Sequence, residues 1–296
     1  MNRKWGLGMG LGLYEELQRA DLLCRSTRWD AEVYDFDGAT SPHLMAEVRR
    51  LRDLSFLRVG VVLNDSCGVD TSDVDGGCRQ VIVWDCRRSA IAGGYRYSLG
   101  RSVEPSQLAI SRYFRLSQRF IQEYLPCGME LGRTFISQEY QKGANALTLY
   151  TLDTLWEGLS AVVKANNIDY LFGRVTLYPA LGVRARNLLM GFMRFAYPSD
   201  DSLMQAHAPE RVEMAREDFD EIFVGATPKD NYRILLSRMR ELDALPPPII
   251  SSYMRLSPSM QVFDSYANWD LGGVVETAIM LKVNDFYDEI KRRYLS

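Results

Sequence analysis

The sequence predicts an α/β fold, in which a mixed, mostly antiparallel sheet carries helices on both faces. Three observations support this prediction. Strand and helix patterns are interleaved along the chain. Two strand patterns, Arg79–Asp85 and Ile91–Ser98, are separated by a turn short enough for a hairpin. A strand–loop–helix–strand unit then follows between residues 129 and 178.

The composition is that of an ordinary globular protein. The chain has 296 residues, 47% of them hydrophobic and 25% charged, which is enough for one large domain or two. The net charge of −3 gives no overall basic field, so we expect no nucleic-acid partner. No run of about 18 apolar residues predicts a membrane-spanning helix. The basic start runs directly into Glu15 and Glu16 without a cleavage site, so we expect a cytoplasmic protein without a signal peptide.

Metal sites and a phosphate-binding N-terminus are disfavoured. Five cysteines without a CxxC pair, and only two histidines, predict reduced thiols and no zinc site. The loop Asn64–Gly77 has four aspartates but lacks the spacing and the final glutamate of a calcium loop. The glycines at positions 6, 8, 10 and 12 follow no strand, which favours a flexible N-terminus over a phosphate cradle.

The first half of the chain alternates strands and helices. Trp29–Phe36 is predicted as a strand, and Pro42–Leu57 as a helix that Ser41 can cap. After the hairpin, Gln107–Tyr124 has an apolar stripe at helical spacing, and Pro126 ends it.

The second half is predicted as a core unit, an excursion and a C-terminal segment. The core elements are a strand Met129–Ser137, a polar loop Gln138–Asn145, a helix Leu152–Ala165, a strand Asp169–Tyr178 and a helix Gly182–Tyr197. Later elements are a polar excursion Ser199–Asp230, helices Tyr232–Leu242 and Ile249–Arg255, a strand Val274–Lys282 and a helix Asn284–Arg293. This gives an N-terminal arm (1–28), a core (29–198), a helical excursion (199–245) and a C-terminal segment packed on the core (246–296).

The strand Met129–Ser137 carries Glu130 and Arg133 in an otherwise apolar pattern. Regular alternation places residues 130 and 133 on opposite faces of the sheet. Because buried charges persist only when they are paired, we expect Glu130 to meet an arginine such as Arg52 or Arg96. Arg133 is expected to meet aspartates of the Asn64–Gly77 loop.

Five motifs, in order, resemble one family of enzymes. They read IVWD…IAGGYRY, MELGRTFISQEYQ, LWEGL, YLFGRVTLYP and LPPPIISSYMRLSP. From about Glu15 to the C-terminus, the chain resembles the acyl-carrier-protein-dependent N-acyltransferases of ornithine-lipid and glycine-lipid synthesis, of the Bacteroidetes type. These enzymes belong to the GNAT superfamily, are often labelled hemolysin-like, and are distantly similar to acyl-homoserine-lactone synthases.

The resemblance implies a GNAT-like core and a set of site residues. The family pattern is matched by Arg52, Phe56, Asp73, Asp75, Arg96, Glu130 and Arg133, with Thr134 at a position where serine is usual. Gly76 and Gly77 depart from the pattern of the aspartate-rich loop. The cluster is expected to hold the acceptor amino acid, with Glu130 as candidate base, or to be a scaffold that orders an N-terminal lid. Tyr178 is a candidate proton donor to the leaving thiolate.

The resemblance also implies the acyl donor. No permanently bound cofactor is expected, and the donor is the 4'-phosphopantetheine thioester of acyl carrier protein, with coenzyme A as the less favoured donor. Gln138, Lys142 and Gly143 are the candidates for contact with its phosphate. Four arginines are candidates for attracting the acidic carrier or lipid headgroups: Arg174, Arg184, Arg186 and Arg194.

Three functions remain in competition. The first is transfer of a long-chain acyl group, with or without a 3-hydroxyl, to an amino acid such as glycine or ornithine, as the first step of aminolipid synthesis. This enzyme would work in the cytoplasm, at the inner face of the membrane. The second is small-molecule N-acetylation from coenzyme A. The third is non-catalytic binding of acyl chains or lipid on a GNAT scaffold.

Overall fold

A computed structural model describes residues 10–58, 73, 77–141, 146–200, 202–208, 210–212 and 219–295. Its main sheet has eight strands: β1 (Asp21–Arg25), β2 (Ala31–Asp37), β3 (Arg79–Asp85), β4 (Ala90–Leu99), β6 (Gly128–Ile136), β7 (Tyr170–Leu177), β9 (Gln261–Asn268) and β10 (Val274–Lys282). Two short strands, β5 (Phe114–Leu116) and β8 (Met204–Ala206), pair separately. The order in the main sheet is β1-β2-β3-β4-β6-β7-β10-β9.

All neighbours in the main sheet are antiparallel except one pair. The exception is β6 and β7, which are parallel and are connected by a long helix. A parallel pair needs such a crossover, whereas β3 and β4 are joined by the predicted hairpin. The α/β prediction with a mostly antiparallel sheet is therefore confirmed.

Helices cover both faces of the sheet. They are α1 (Leu11–Arg19), α2 (Pro42–Arg58), α3 (Ala146–Asn166), α4 (Val183–Ala196), α5 (Pro228–Glu241) and α6 (Pro248–Met254). Helices α1 and α2 pack with Ile82 and Phe135 on one face. Helix α3 packs on the opposite face, against Val33 and Val83. These two apolar layers hold the sheet between helices.

The prediction of a flexible N-terminus is wrong from Leu11 onwards. Leu13 and Leu17 of α1 are buried against α2, which fixes the segment by apolar packing. The carboxylate of Glu16 accepts hydrogen bonds from the backbone N–H groups of His43 (3.1 Å) and Leu44 (2.8 Å). These groups have no partner within their own helix, so α1 caps the beginning of α2.

The single predicted helix over Gln107–Tyr124 is also wrong. The segment forms 3₁₀ turns at Pro105–Gln107 and Ala109–Arg112, then β5, then a π-helical turn at Phe120–Tyr124. Phe114 and Phe120 are buried as the apolar stripe predicts, but in different elements. The pairing of β5 with β8 outweighs the local helical preference.

The C-terminal region differs in two further places. Strand β9 was missed, although it forms the edge of the sheet beside β10. The predicted helix Asn284–Arg293 is divided into a 3₁₀ turn Val283–Asp285, a helical turn Asp288–Ile290 and a π-helical turn Lys291–Leu295. Within the excursion, the described helix before α5 is a single turn, Phe219–Ile222.

Candidate functional site

The parallel strands β6 and β7 separate partway along their length. Residues 128–131 pair with residues 170–173, and no further pairing between the two strands follows in the described chain. Beyond this point β6 still pairs with β4, and β7 still pairs with β10. The resulting gap between residues 132–136 and 174–177 is called the wedge. Gly173 allows the close approach at its apex, because a Cβ there would lie 2.3 Å from the carbonyl oxygen of Leu131.

A cavity of about 110 Å³ lies in the wedge. Its walls are residues 131–134 of β6, residues 174–176 of β7, and side chains of β10 and α6, including Glu276 and Tyr253. A smaller space of about 20 Å³ lies beside it, next to Leu155 and Trp156 of α3. The two spaces share four lining residues: Leu131, Thr134, Ile249 and Tyr253. A chamber that contains charged side chains therefore adjoins an apolar one.

Strand β6 has a bulge at the wedge. Gly132 pairs with Arg96 and Phe135 pairs with Gly94, so two residues, Arg133 and Thr134, oppose the single residue between them on β4. Arg133 has a φ of 54°, which is uncommon for a residue with a side chain. The bulge therefore breaks the regular alternation of side chains along β6. The placement of residues 130 and 133 on opposite faces rested on that alternation, and this basis was wrong.

Three of the predicted site residues form a buried charge network with Gln80. Arg52 Nη1 lies 3.1 Å from Asp73 Oδ1, and Arg96 Nη1 lies 3.2 Å from Asp73 Oδ2. Gln80 donates to Asp73 (2.8 Å) and accepts from Arg52 (2.8 Å). Burial lowers the pKa of Arg52 to about 10, although Asp73 opposes this shift.

The buried charge network does not line the cavity. Its four side chains are 0–3% exposed, and the walls of the wedge are made by other residues. Asp75, which the sequence places in the same cluster, lies outside the described residues. The structure thus brings Arg52, Asp73 and Arg96 together, in a sealed position beneath the wedge lining.

Glu130 is buried and is bonded to the backbone. Its carboxylate accepts hydrogen bonds from the N–H groups of Ala109 (2.9 Å) and Ile110 (2.6 Å). Burial raises the pKa of Glu130, while the charges of Arg96 and Arg174 act in the opposite direction. In the described part of the chain Glu130 forms no ion pair with Arg52 or Arg96, so the expected pairing is not observed, and Glu130 is absent from the walls of the cavity.

Four predicted residues do line the cavity: Phe56, Arg133, Thr134 and Tyr178. Tyr178 directly follows β7, and its ring packs with Phe56, Leu271 and Val274 at the mouth of the wedge. Thr134 hydrogen-bonds Tyr253, a contact that lowers the pKa of the tyrosine, whereas burial raises it to about 12.

Two charged side chains of the wedge, Arg174 and Glu276, were not predicted as residues of the reacting site. Glu276 of β10 is 3% exposed and accepts a hydrogen bond from Thr176 Oγ1 of β7 (2.8 Å). The guanidinium of Arg174 lies over the ring of Tyr113, 4.2 Å from its centre. Burial lowers the pKa of Arg174, but Glu276, Tyr113 and Glu130 outweigh burial and hold this pKa above its ordinary value.

The sequence pattern around Arg174 and Glu276 could have identified both residues as candidates. Each is a charge in an apolar strand, YLFGRVTL and VVETAIMLK, which is the pattern that drew attention to Glu130. The sequence analysis grouped Arg174 with arginines for a carrier or lipid surface. In the structure it lines the cavity instead. Arg194, from the same group, is paired with Asp264 at 3.2 Å.

The predicted donor loop is described only in part. Gln138 lies in a 3₁₀ turn after β6, and its side-chain N–H₂ donates to the carbonyl oxygen of Leu54 at 2.7 Å. Lys142 and Gly143 lie outside the described residues. Helix α3 begins at Ala146, directly after this segment, so its first-turn N–H groups are near the loop.

The described ranges contain neither a candidate metal site nor a membrane-spanning helix. These ranges contain no group of three or more His, Cys, Asp or Glu side chains placed to hold a metal ion. They also contain no helix with the length and apolarity needed to cross a bilayer.

Comparison with known sequences gives one family profile and two similar proteins. The profile, described as an Acetyltransferase (GNAT) domain, matches residues 51–151. A glycine N(alpha)-acyltransferase of Bacteroides thetaiotaomicron is 34% identical over 294 residues, covering 95% of this chain and 87% of that protein. A glycine N(alpha)-acyltransferase of Phocaeicola vulgatus is 34% identical over 272 residues, covering 89% of this chain and 83% of that protein.

Comparison with solved structures gives more distant similarities. The AHL synthase LasI matches with a TM-score of 0.35 and 17% identity, over 54% of this chain and 77% of that one. FeeM, an N-acyl amino acid synthase from uncultured soil microbes, matches with a TM-score of 0.36 and 11% identity, over 49% and 71%. No residue role follows from similarities at this level.

Proposed function

The chain belongs to the family of the glycine N(alpha)-acyltransferases and is an N-acyltransferase, and from this premise we propose its donor and acceptor. The donor is a long-chain acyl group, with or without a 3-hydroxyl, on the 4'-phosphopantetheine of acyl carrier protein. The acceptor is the amine of a small amino acid such as glycine or, less favoured, ornithine. The observation that carries this proposal is the wedge, where a charged chamber meets an apolar space.

The wedge suits an extended thioester arm. Strands β6 and β7 separate after Leu131 and Gly173, and beyond this point their backbone N–H and C=O groups no longer hydrogen-bond to each other. The arm would enter from the loop that includes Gln138, Lys142 and Gly143, with its phosphate near the N-terminus of α3. The apolar space beside Leu155 and Trp156 would receive the first carbons of the acyl chain.

The reaction requires three proton transfers. The acceptor ammonium loses a proton, its nitrogen attacks the thioester carbonyl, the C–N bond forms and the C–S bond breaks. The leaving thiolate takes one proton and a second proton leaves the new amide nitrogen. Tyr178 stands at the mouth of the wedge, where a phenol can donate to the thiolate.

The predicted acceptor cluster is better assigned a scaffold role. Arg52, Asp73 and Arg96 are sealed from the cavity, and both oxygens of Glu130 accept backbone N–H groups. We assign Glu130 to holding the 109–112 turn in place, beside Tyr113 of the cavity wall. Arg133, Thr134 and Phe56 contact the reacting groups, because they line the wedge.

The product explains the proposed cellular setting. Acylation turns an ammonium into a neutral amide and leaves an anionic molecule with a long apolar chain, which partitions into membranes. The enzyme would then act from the cytoplasm at the inner face of the cytoplasmic membrane, as the first step of aminolipid synthesis. Arg184, an exposed residue of α4, is a candidate for contact with lipid headgroups.

The test is a direct assay of product formation. Purified protein is incubated with 3-hydroxypalmitoyl-acyl carrier protein or the corresponding coenzyme A thioester, together with a pool of amino acids, and products are identified by mass spectrometry. One N-acyl amino acid formed from the carrier thioester supports the proposal. Product from the coenzyme A thioester alone would replace the donor assignment. No product from either donor, with folded protein, would overturn the proposed function.

A further inference from the structure

We propose that Arg174 and Glu276 form the acceptor site of the enzyme, in which the guanidinium binds the carboxylate of a small amino acid and Glu276 receives its ammonium group. This inference rests on the proposed function and deepens it. It moves acceptor recognition away from the buried charge network and into the wedge.

One nitrogen of the buried Arg174 guanidinium, Nη1, lacks a hydrogen-bond partner in the described part of the chain. Arg174 also forms no ion pair with a described carboxylate, although Tyr113 covers one face of the guanidinium and hydrogen-bonds to it. Leaving such a donor unsatisfied is costly, and its planar fork matches a carboxylate. The cavity it lines is where that carboxylate would sit.

Glu276 provides the complementary charge at a suitable position. On the antiparallel pair β7–β10, Glu276 is opposite Thr176 and Arg174 is opposite Ala278. Arg174 and Glu276 are therefore diagonal neighbours on one face of the sheet. Both side chains line the cavity and Glu276 raises the pKa of Arg174, but the two form no direct ion pair in the described part of the chain. A short zwitterion can bridge them.

The size of the chamber limits the acceptor. The cavity of about 110 Å³ is bounded by Ile249, Tyr253 and Leu271. These apolar walls offer no described charge for a second ammonium group, so the site favours a small α-amino acid such as glycine over ornithine. Its chemistry selects against amines that lack a carboxylate.

The site also supplies the missing proton acceptor. The Glu276 carboxylate takes one proton from the ammonium before the nitrogen attacks the thioester, and this proton later passes to solvent. The C–N bond then forms and the C–S bond breaks. Tyr178 protonates the leaving thiolate, and the second proton lost by the nitrogen restores the Tyr178 phenol. Thr176 holds Glu276 in place through its 2.8 Å hydrogen bond.

The test compares Arg174→Gln with Arg112→Gln. Arg112 also lies over Tyr113, at 5.8 Å, but it is exposed and outside the cavity wall. With the donor saturating, Arg174→Gln should raise the KM for glycine about 30-fold or more, since a buried charged partner is lost. Arg174→Gln should also lose the preference for glycine over glycinamide. Arg112→Gln should keep both the wild-type KM for glycine and this preference. Arg174→Lys, which retains the charge without the fork, should be intermediate.

Two readouts separate this inference from the proposed function. Glycine binding is measured by calorimetry without donor, so that it does not depend on turnover, and thermal unfolding checks that each variant is folded. If Arg174→Gln binds glycine as the wild type does and keeps the glycinamide discrimination, the acceptor site is assigned wrongly. If the wild type binds glycine through Arg174 but acylates nothing, the proposed function fails while the binding site stands.

Discussion

Two groups of charged side chains differ in their surroundings: one is sealed in the interior, and the other lines the cavity between β6 and β7. In the buried charge network, Asp73 pairs with both Arg52 and Arg96 and all three are sealed. In the wedge, Arg174 and Glu276 face a cavity without pairing directly with each other. A charge in a strand therefore does not by itself identify a reactive site. A charged side chain is available to a substrate where the described chain does not already pair it with an opposite charge.

The largest effect is expected from Asp73→Asn, which removes the negative charge between two buried arginines. Breaking a buried ion pair costs about 3–5 kcal/mol of unfolding free energy. The measurement is urea unfolding followed by circular dichroism. The matched control is Asp53→Asn, because Asp53 pairs with Arg49 at 3.9 Å on the exposed side of α2. We expect a change of less than about 1 kcal/mol for that control. Equal effects of both substitutions would remove the distinction between sealed and open charges.

Tyr178→Phe tests the wedge side of the comparison. If Tyr178 donates a proton to the leaving thiolate, kcat should fall about 100-fold, within the usual range for general acid catalysis. Because the ring packing is retained, the unfolding free energy should change by less than about 1 kcal/mol. Steady-state kinetics with carrier thioester and the same urea titration measure both quantities. An unchanged kcat would assign the thiolate proton to another group.

The smallest effect is expected from Glu130→Gln, and it should depend on pH. Burial raises the pKa of Glu130 above its ordinary value of 4.5, so the unfolded chain releases this proton at a lower pH than the folded chain. Between the pKa of Glu130 in the unfolded chain and its higher pKa in the folded chain, the unfolded state binds fewer protons than the folded state. The unfolding free energy therefore falls as pH rises. Relative to Glu130→Gln, the wild type should lose stability above pH 4.5. Glu130→Gln also leaves one backbone N–H without its acceptor. This loss lowers the unfolding free energy of the variant by about 1 kcal/mol at every pH.

This pH dependence is measured by urea unfolding of both proteins between pH 4 and pH 8. A difference that stays constant with pH would mean that Glu130 has an ordinary pKa in the fold. A large fall in kcat for Glu130→Gln at unchanged stability would restore Glu130 as the base.

Local patterns were sufficient for most of the sheet. Strands β3 and β10 have the predicted bounds, and α2 differs from its prediction by one residue, because their apolar spacing reflects their own packing. The failures share a cause. Residues 107–124 have a helical stripe, yet β5 pairs with β8, almost ninety positions later in the chain. No local window contains that pairing.

The candidate site was predictable only as far as residue types allowed. The structure brings together Arg52, Asp73 and Arg96, three of the residues that the resemblance grouped, but sequence alone does not reveal whether such a group is sealed or open. The bulge at Arg133 also changes the direction of side chains, and alternation cannot anticipate it. Applying the rule used for Glu130 to every charged residue in an apolar strand would have found Arg174 and Glu276.

The position of β10 in the sheet has a consequence for the timing of biosynthesis. Strands β6 and β7 are translated by residue 177, but Tyr253 and Glu276, which complete the walls of the wedge, come from α6 and β10. Because β10 adds to the sheet beside β7, a nascent chain on the ribosome has both sides of the gap long before it has the third wall. Acyl transfer would therefore begin only once the chain has emerged beyond β10, and chains terminated before that strand would not consume thioester.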